Sequence, residues 1–469
     1  MTAAFVRSDA VAAIRSQLDH PVIDGDGHLI EYLPLLFDIV RDIAGPDVQK
    51  RLQSFNRDRF GRDGGFLPVR VFHGLPAENT LDRMTATLPE LMHSRLEEFG
   101  LDFALLYPSF GLTLLSLPDD ELRTAACRAY NTCVAEVYRD ARDRLEPVAV
   151  IPTFTPDEAV TEIHHAVGTL GLKSVVMSGV VPRLVRPDGT ETSWVDTLGH
   201  ESLYDYDPVW AACRDMRVAP AFHGIGYGWG SRVSSRNYVH NHLGNFAAAQ
   251  EAVCRSLVMG GVARRFPELR FTFLEGGVSW ACQLYADLLG HFEKRNRDEV
   301  HAYDDANLDI DLAVSLFEQY ARGRMAGDAD RFTKVMQRTA AAARAFDEIV
   351  GVDDFADAAI TSADDIVDMF TRQFAFGCEA DDPMNALAFE RGKLPRDARL
   401  AAVFASDIGH WDVPDARDVL PEAWELVEHG HLDEGDFADF TCRNVVRTLT
   451  ALNPEFFAGT AIEGVERSV

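Results

Sequence analysis

Short apolar runs recur along the chain, each stopped by a glycine, proline or charged residue, with longer stretches of helical periodicity between them. The runs fall at 22–23, 103–107, 147–151, 174–177, 218–222, 271–274, 374–376 and 400–405. Helical spacing predicts helices over 32–55, 91–99, 119–142, 156–170, 208–216, 242–266, 278–297 and 383–391, and a helical tail over 421–457. Pro156 stands at the start of its stretch, where a missing N–H costs a helix nothing. Eight strands alternating with helices predict an α/β fold, a (β/α)8 TIM barrel with helical insertions. The main competitor is an open doubly wound sheet. No Gly-x-Gly-x-x-Gly follows the first strand, so the sequence signals no dinucleotide site.

Three segments interrupt the rhythm. A Gly- and Arg-rich loop is expected at 61–74, and a polar loop insertion rich in turn residues at 179–204. The acidic helical stretch 307–369 is too long for a barrel connection. It is expected to form an inserted helical subdomain within a single elaborated barrel spanning 1–469. No internal repeat or low-complexity segment stands out.

Composition narrows the function classes. Lys+Arg 45 against Asp+Glu 74 gives a formal charge of −29 and a pI near 4.8. So acidic a surface repels nucleic acid and anionic lipid, and neither is an expected partner. The seven cysteines are scattered with no Cys-x-x-Cys pair, which argues against a disulfide framework or zinc ribbon and fits a reducing cytoplasm. Residues 1–19 carry Arg7, Asp9 and Arg15 among small apolar residues, an amphipathic pattern unlike a signal peptide. No apolar run has the length of a membrane span.

The first apolar run leads into Asp24-Gly25-Asp26-Gly27-His28. In extended chain, residues two apart share a face, so Asp26 and His28 aim an oxygen and a nitrogen donor at one point. The same dipeptides also make ordinary turns. Three later runs likewise end on metal-type ligands, in Phe222-His223-Gly224, Leu274-Glu275-Gly276-Gly277 and Ser406-Asp407. In a barrel all of these lie at the carboxyl face. His240 and His242 follow strand five, where ligation and helix capping are equally good readings. His410, beside Trp411, is a candidate to orient a ligand or move a proton.

Together with Arg265-Phe266-Pro267-Glu268-Leu269 and Ser406-Asp407-Ile408-Gly409-His410-Trp411-Asp412, these motifs resemble the amidohydrolase superfamily. The resemblance is to its branch related to aminocarboxymuconate-semialdehyde decarboxylase. It implies a metal held by His-x-His after strand one, His after strands five and six, and Asp after strand eight. Here Asp26 stands at the first His, His28 at the second, His223 at the third, Glu275 at the strand-six His, and Asp407 at the terminal Asp. Two histidines have become carboxylates, which favours harder ions such as iron or manganese. The modified lysine that bridges two ions in some relatives has no counterpart, since Met177-Ser178 close strand four and Lys173 precedes it. Glu275 is then the candidate bridge.

The carboxylate pattern also resembles a small group in this branch, the non-haem diiron monooxygenases of platensimycin and platencin biosynthesis. That resemblance implies a two-iron site activating dioxygen to hydroxylate an apolar small molecule carrying a carboxylate or thioester. Aromatics at 110, 222, 227, 229, 246, 280 and 411 suit such a substrate, and Arg232, Arg236 and Arg255 are candidates for its acidic tail. The alternative reading is a hydrolase or non-oxidative decarboxylase with a single Zn or Mn ion, in which Asp407 or His410 takes a proton. A third reading, an inactive scaffold, fits poorly with five ligand-type residues in register. A homodimer is expected, as is usual for such barrels.

Overall fold

The computed structural model describes residues 5–60, 75–224, 232, 234, 237–350 and 353–468. The loop expected at 61–74, and Tyr227, Trp229 and Arg236, lie outside these residues. The chain forms two compact units, Met1–Leu284 with Val367–Val469, and Tyr285–Ile366.

The larger unit holds the strands: β1 (Ile23–Leu29), β2 (Phe103–Pro108), β3 in two runs (Leu145–Pro147 and Ala149–Val150), β4 (Val175–Met177), β5 (Pro220–Phe222), β6 (Phe271–Phe273), β7 (Phe374–Glu379) and β8 (Ala401–Ala405). Each pairs in parallel with the next along the chain, from β1 to β3 and from β3 to β8. Val148 joins the two runs of β3, donating its N–H to Leu106 O at 3.0 Å. The ring closes between β8 and β1, where Asp407 N donates to Asp26 O at 3.1 Å and His28 N to Ile408 O at 3.1 Å. The fold is a (β/α)8 barrel, with every run read as a strand in its place.

Two features of β1 explain the Asp-Gly-Asp-Gly segment. It is strand, not turn, and neither Gly25 nor Gly27 has positive φ. Their role is space. A Cβ on Gly25 would stand 2.3 Å from Val403 Cγ1 and 3.1 Å from Phe404 O, both on β8. A Cβ on Gly27 would stand 2.4 Å from Asp24 Oδ2. The buried Asp24 carboxylate spans the same seam, accepting from Asp26 N at 3.2 Å, Ser406 N at 3.0 Å and Ser406 Oγ.

Helices surround the ring largely where periodicity places them, with breaks at glycines. The stretch 32–55 divides into Leu33–Ala44 and Pro46–Phe60 at Gly45, and 242–266 divides at Gly244 and Gly261, all three with positive φ. The segment 383–391 is a 3-10 helix, Pro383–Ala388. The polar insertion 179–204 is more ordered than its composition suggests. It contains an antiparallel hairpin, Val181–Val185 with Glu191–Asp196, pinned where Arg183 Nε donates to the buried Asp196 at 3.1 Å. The first hairpin strand buries Arg183 and exposes Leu184 and Val185, and the second exposes Glu191, Thr192 and Ser193, so neither reads as an apolar run.

Behind the strands, Phe222, Phe271, Phe273 and Phe376 form a stack, with centroids 5.6 Å apart for Phe222–Phe273 and 5.9 Å for Phe273–Phe376. Trp210 and Trp280 meet this stack edge-on. Phe222 and Trp280 are therefore packing residues rather than part of a substrate mouth.

The smaller unit is helical, chiefly Ile310–Tyr320 and Ala329–Val350, with the rings of Phe317 and Phe332 stacked at 4.3 Å. It begins at Tyr285, earlier than the insertion expected at 307–369. No helix among the described residues is long and apolar enough to cross a membrane.

Gly25→Ala tests the seam. The added methyl overpacks β1 against β8 and should cost about 1–3 kcal/mol, read as a lower midpoint in denaturant unfolding with an unchanged slope.

Candidate metal centre

The carboxyl ends of β1, β5, β6, β7 and β8 bring their terminal side chains into one buried cluster. Asp26 and His28 end β1, His223 follows β5, Glu275 lies two residues past β6, Glu379 ends β7, and Asp407 lies two residues past β8. Their ligand atoms fall into three groups, each within 4.8 Å: Asp26, His28 and His223; His28, Glu275, Asp407 and His410; and Glu379, Asp407 and Asp412. His28 belongs to the first two and Asp407 to the last two, so the groups form a chain of shared ligands.

The separations are those of neighbours around a cation. His28 Nε2 lies 3.8 Å from Asp26 Oδ1, 3.4 Å from Glu275 Oε1 and 3.3 Å from Asp407 Oδ1. His223 Nε2 lies 3.5 Å from Glu275 Oε2. Donors bonded at about 2.0–2.2 Å to one ion stand roughly 3–3.5 Å from each other. Neither carboxylate oxygen of Asp26, neither ring nitrogen of His28 nor Nε2 of His223 has a hydrogen-bond partner among the described residues. Buried polar atoms are rarely left so, and a divalent cation satisfies all of them together. The residues present fit a metal ion.

The backbone is set to the same end. Glu275 and Asp407 both adopt left-handed conformations, φ 55° and 50°, which cost a non-glycine residue about 1–3 kcal/mol. Gly277 and Gly409 share the sign of φ, so each ligand sits in a tight strand-exit turn. His223 Nδ1 lies 2.7 Å from Gly224 O, which leaves Nε2 to face the cluster.

The protein's own charges are poorly balanced here. Burial, then the nearby positive charge of His410, holds His28 down to about 3, a neutral imidazole with a free lone pair. Burial also opposes charge on His223, but Glu275 and Asp26 outweigh it and raise that imidazole to about 9. Burial pushes the Asp26, Glu379 and Asp407 carboxyls well above the ordinary range, and the carboxylates beside them add to it. Glu275 is held low despite burial, because His223, His28 and His410 face it.

Of the residues singled out from sequence, Asp26, His28, His223, Glu275, Asp407 and His410 meet in this cluster. His242 is in none of the three groups. Its ring packs 5.3 Å from Phe246 and 5.7 Å from Trp411, and Phe246 in turn lies 5.8 Å from His223. It ends the short helix Tyr238–His242 and packs within a set of aromatic rings. His240 is exposed on the same helix. Arg255 pairs with Glu251 at 3.0 Å, and Arg232 donates to Leu243 O at 3.1 Å. Lys173 donates to Phe456 O, at the opposite end of its strand from the cluster.

Three residues of the site were not found from sequence. Glu379 was missed because β7 runs three residues beyond the apolar Phe374-Ala375-Phe376, and its last residue read as loop. Asp412 lies five residues past Asp407 in the loop after β8, where no apolar run marks it, and it joins Glu379 and Asp407 in one ligand group. Ser109, just past β2, places Oγ 3.2 Å from His410 Nε2, while His410 Nδ1 lies 2.6 Å from Asp407 Oδ1. Nothing in the sequence around Ser109 announced that contact.

The amidohydrolase family model matches residues 117–360, just over half of the chain. No curated protein sequence matches it significantly. Among solved structures, an amidohydrolase from Mycobacterium avium subsp. paratuberculosis K-10 is similar with a TM-score of 0.51 at 17% identity, covering 92% of this chain and 100% of that one. A 2,6-dihydroxybenzoate decarboxylase from Rhizobium gives 0.48 at 14% identity, covering 92% and 99%. A dihydroxybenzoic acid decarboxylase from Polaromonas sp. JS666, with bound manganese and the inhibitor 2-nitroresorcinol, gives 0.47 at 13%, covering 94% and 99%. The barrel, the buried ligand cluster at its carboxyl face and the family match agree: this chain belongs to the amidohydrolase family, as a metal-dependent enzyme of that superfamily.

Proposed function

We propose that the chain cleaves a bond in an apolar small molecule without oxygen, by hydrolysis or decarboxylation, using one divalent ion of the manganese or zinc type. The observation that carries this reading is the set of unpartnered donors on Asp26, His28 and His223, gathered beside Asp407 and Glu275 at the barrel's carboxyl face. Asp26, His28, His223 and Asp407 would hold the ion. A bound divalent cation supplies Lewis acidity toward a substrate carbonyl or carboxylate oxygen.

The chain's own residues supply proton handling. His410 stands between Asp407 Oδ1 at 2.6 Å and Ser109 Oγ at 3.2 Å, with its side chain 19% exposed. A proton taken at Nδ1 leaves at Nε2, so the imidazole connects the buried ligands to the rim. The rings of Phe246, His242, Tyr238 and the half-exposed Trp411 offer apolar surface beside the cluster.

A second reading rests on Glu275. Its Oε1 faces His28 at 3.4 Å and its Oε2 faces His223 at 3.5 Å, as a carboxylate bridging two ions does. Glu379 and Asp412 add carboxylates beyond the need of one cation. That reading is a two-metal centre, and with iron as the metal it would supply dioxygen activation.

Metal analysis of protein grown without supplement separates the two. One manganese or zinc per chain, and turnover of small aromatic carboxylates and amides at the same rate in air and under argon, is the expected result. Close to two irons per chain with oxygen consumed during turnover would replace the first reading with the second. Asp407→Asn should weaken metal retention more than tenfold, measured by competition with a chromophoric chelator. The same substitution should raise the melting temperature of the chelator-treated protein, because it removes one of several buried carboxylates that repel each other. A variant that melts lower than wild type after chelation contradicts that electrostatic account.

A further inference from the structure

Strands β6, β7 and β8 carry carboxylates past one end and arginines before the other. Arg270 immediately precedes β6, Arg372 lies two residues before β7, and Arg399 two residues before β8. With Arg447 from the helix Asn444–Thr450 they line a cavity of about 480 Å³ at the amino face of the barrel, opposite the metal-type ligands. Phe374, Phe389 and Leu400 supply apolar lining.

Four arginines line this cavity in a chain of net charge −29, with Asp439 as the acidic residue among its lining. Arg399 pairs with Asp436 and lies 3.6 Å from Asp439. Arg447 shares that same Asp439 at 3.6 Å, and Arg372 has Asp368 at 3.4 Å. Arg270 has no carboxylate within ion-pair distance among the described residues, and its Nη1 is turned back to the carbonyls of Pro267, Glu268 and Leu269. Burial and the facing Arg372 both hold its guanidinium below the ordinary value, and no carboxylate offsets them. A half-buried arginine facing another arginine across a cavity leaves a positive potential that an anion neutralises.

We propose that this cavity binds a phosphate dianion, with Arg270 and Arg372 as its principal contacts and Arg399 and Arg447 closing the ring. The planar fork of arginine matches phosphate oxygens two at a time. The cavity is larger than phosphate alone needs, and its phenylalanines could receive the apolar body of a small phosphomonoester. The site is separate from the metal centre and does not depend on which reaction occurs there.

Isothermal titration of the full chain with phenyl phosphate, and separately with inorganic phosphate, tests this. One equivalent of phenyl phosphate should bind, and Arg270→Gln and Arg372→Gln should each weaken it at least tenfold. Arg372 is largely exposed, so its variant reports even where Arg270→Gln fails to fold. Tighter binding of phenyl phosphate than of inorganic phosphate identifies an organic ester as the source, and equal binding identifies free phosphate. His28→Ala should bind both as wild type does. Absence of binding, unchanged affinity in Arg372→Gln, or binding lost in His28→Ala overturns the proposal, the last by placing the anion at the metal centre.

Discussion

Burying several carboxylates around one point requires positive charge to sit among them. Asp26, Glu275, Glu379 and Asp407 lie at the carboxyl face of the barrel, where Asp407 shares one ligand group with Glu275 and another with Glu379, and Asp26 faces His28 and His223. Isolated charges in such a place carry several kcal/mol of desolvation each. His223 offsets part of it, and the remainder is the electrostatic demand that a cation meets. The same demand explains the orphaned donors, since a ligand atom that hydrogen-bonded to its own protein would not be free for an ion.

The seam between β1 and β8 gives that cluster its geometry. The two strands approach closely because Gly25 has no side chain to separate them. Asp24 then ties them through Ser406, and the backbone bonds around Asp26 and Asp407 fix both carboxylates relative to His28. Asp24, two residues before Asp26, has become a strut rather than a ligand. Burial raises its carboxyl to about 6, against three donors that favour the charged form. Strand-exit turns with left-handed Glu275 and Asp407 complete the arrangement, placing conformational strain where ligands must point inward.

The barrel thereby acquires chemical polarity along its axis. Its carboxyl face collects acidic and imidazole ligands behind a wall of aromatic rings, and its amino face collects arginines around a cavity. Parallel strands make this possible, because every strand enters from one face and leaves at the other.

Sequence alone determined the ring. Apolar runs separated by amphipathic helices admit few other arrangements, and all eight barrel strands form where those runs stand. The residues ending the runs, Asp26, His28, His223, Glu275 and Asp407, were legible for the same reason, since strand order in a barrel brings strand ends together. Tertiary structure decided what periodicity does not encode. Glu379 became part of the site because β7 extends past its apolar stretch, Ser109 because β2 ends beside the turn after β8, and His242 packs among the rings of Phe246 and Trp411. Those outcomes depend on distances between segments remote in the chain, fixed by packing and strand closure rather than by any local preference of the residues themselves.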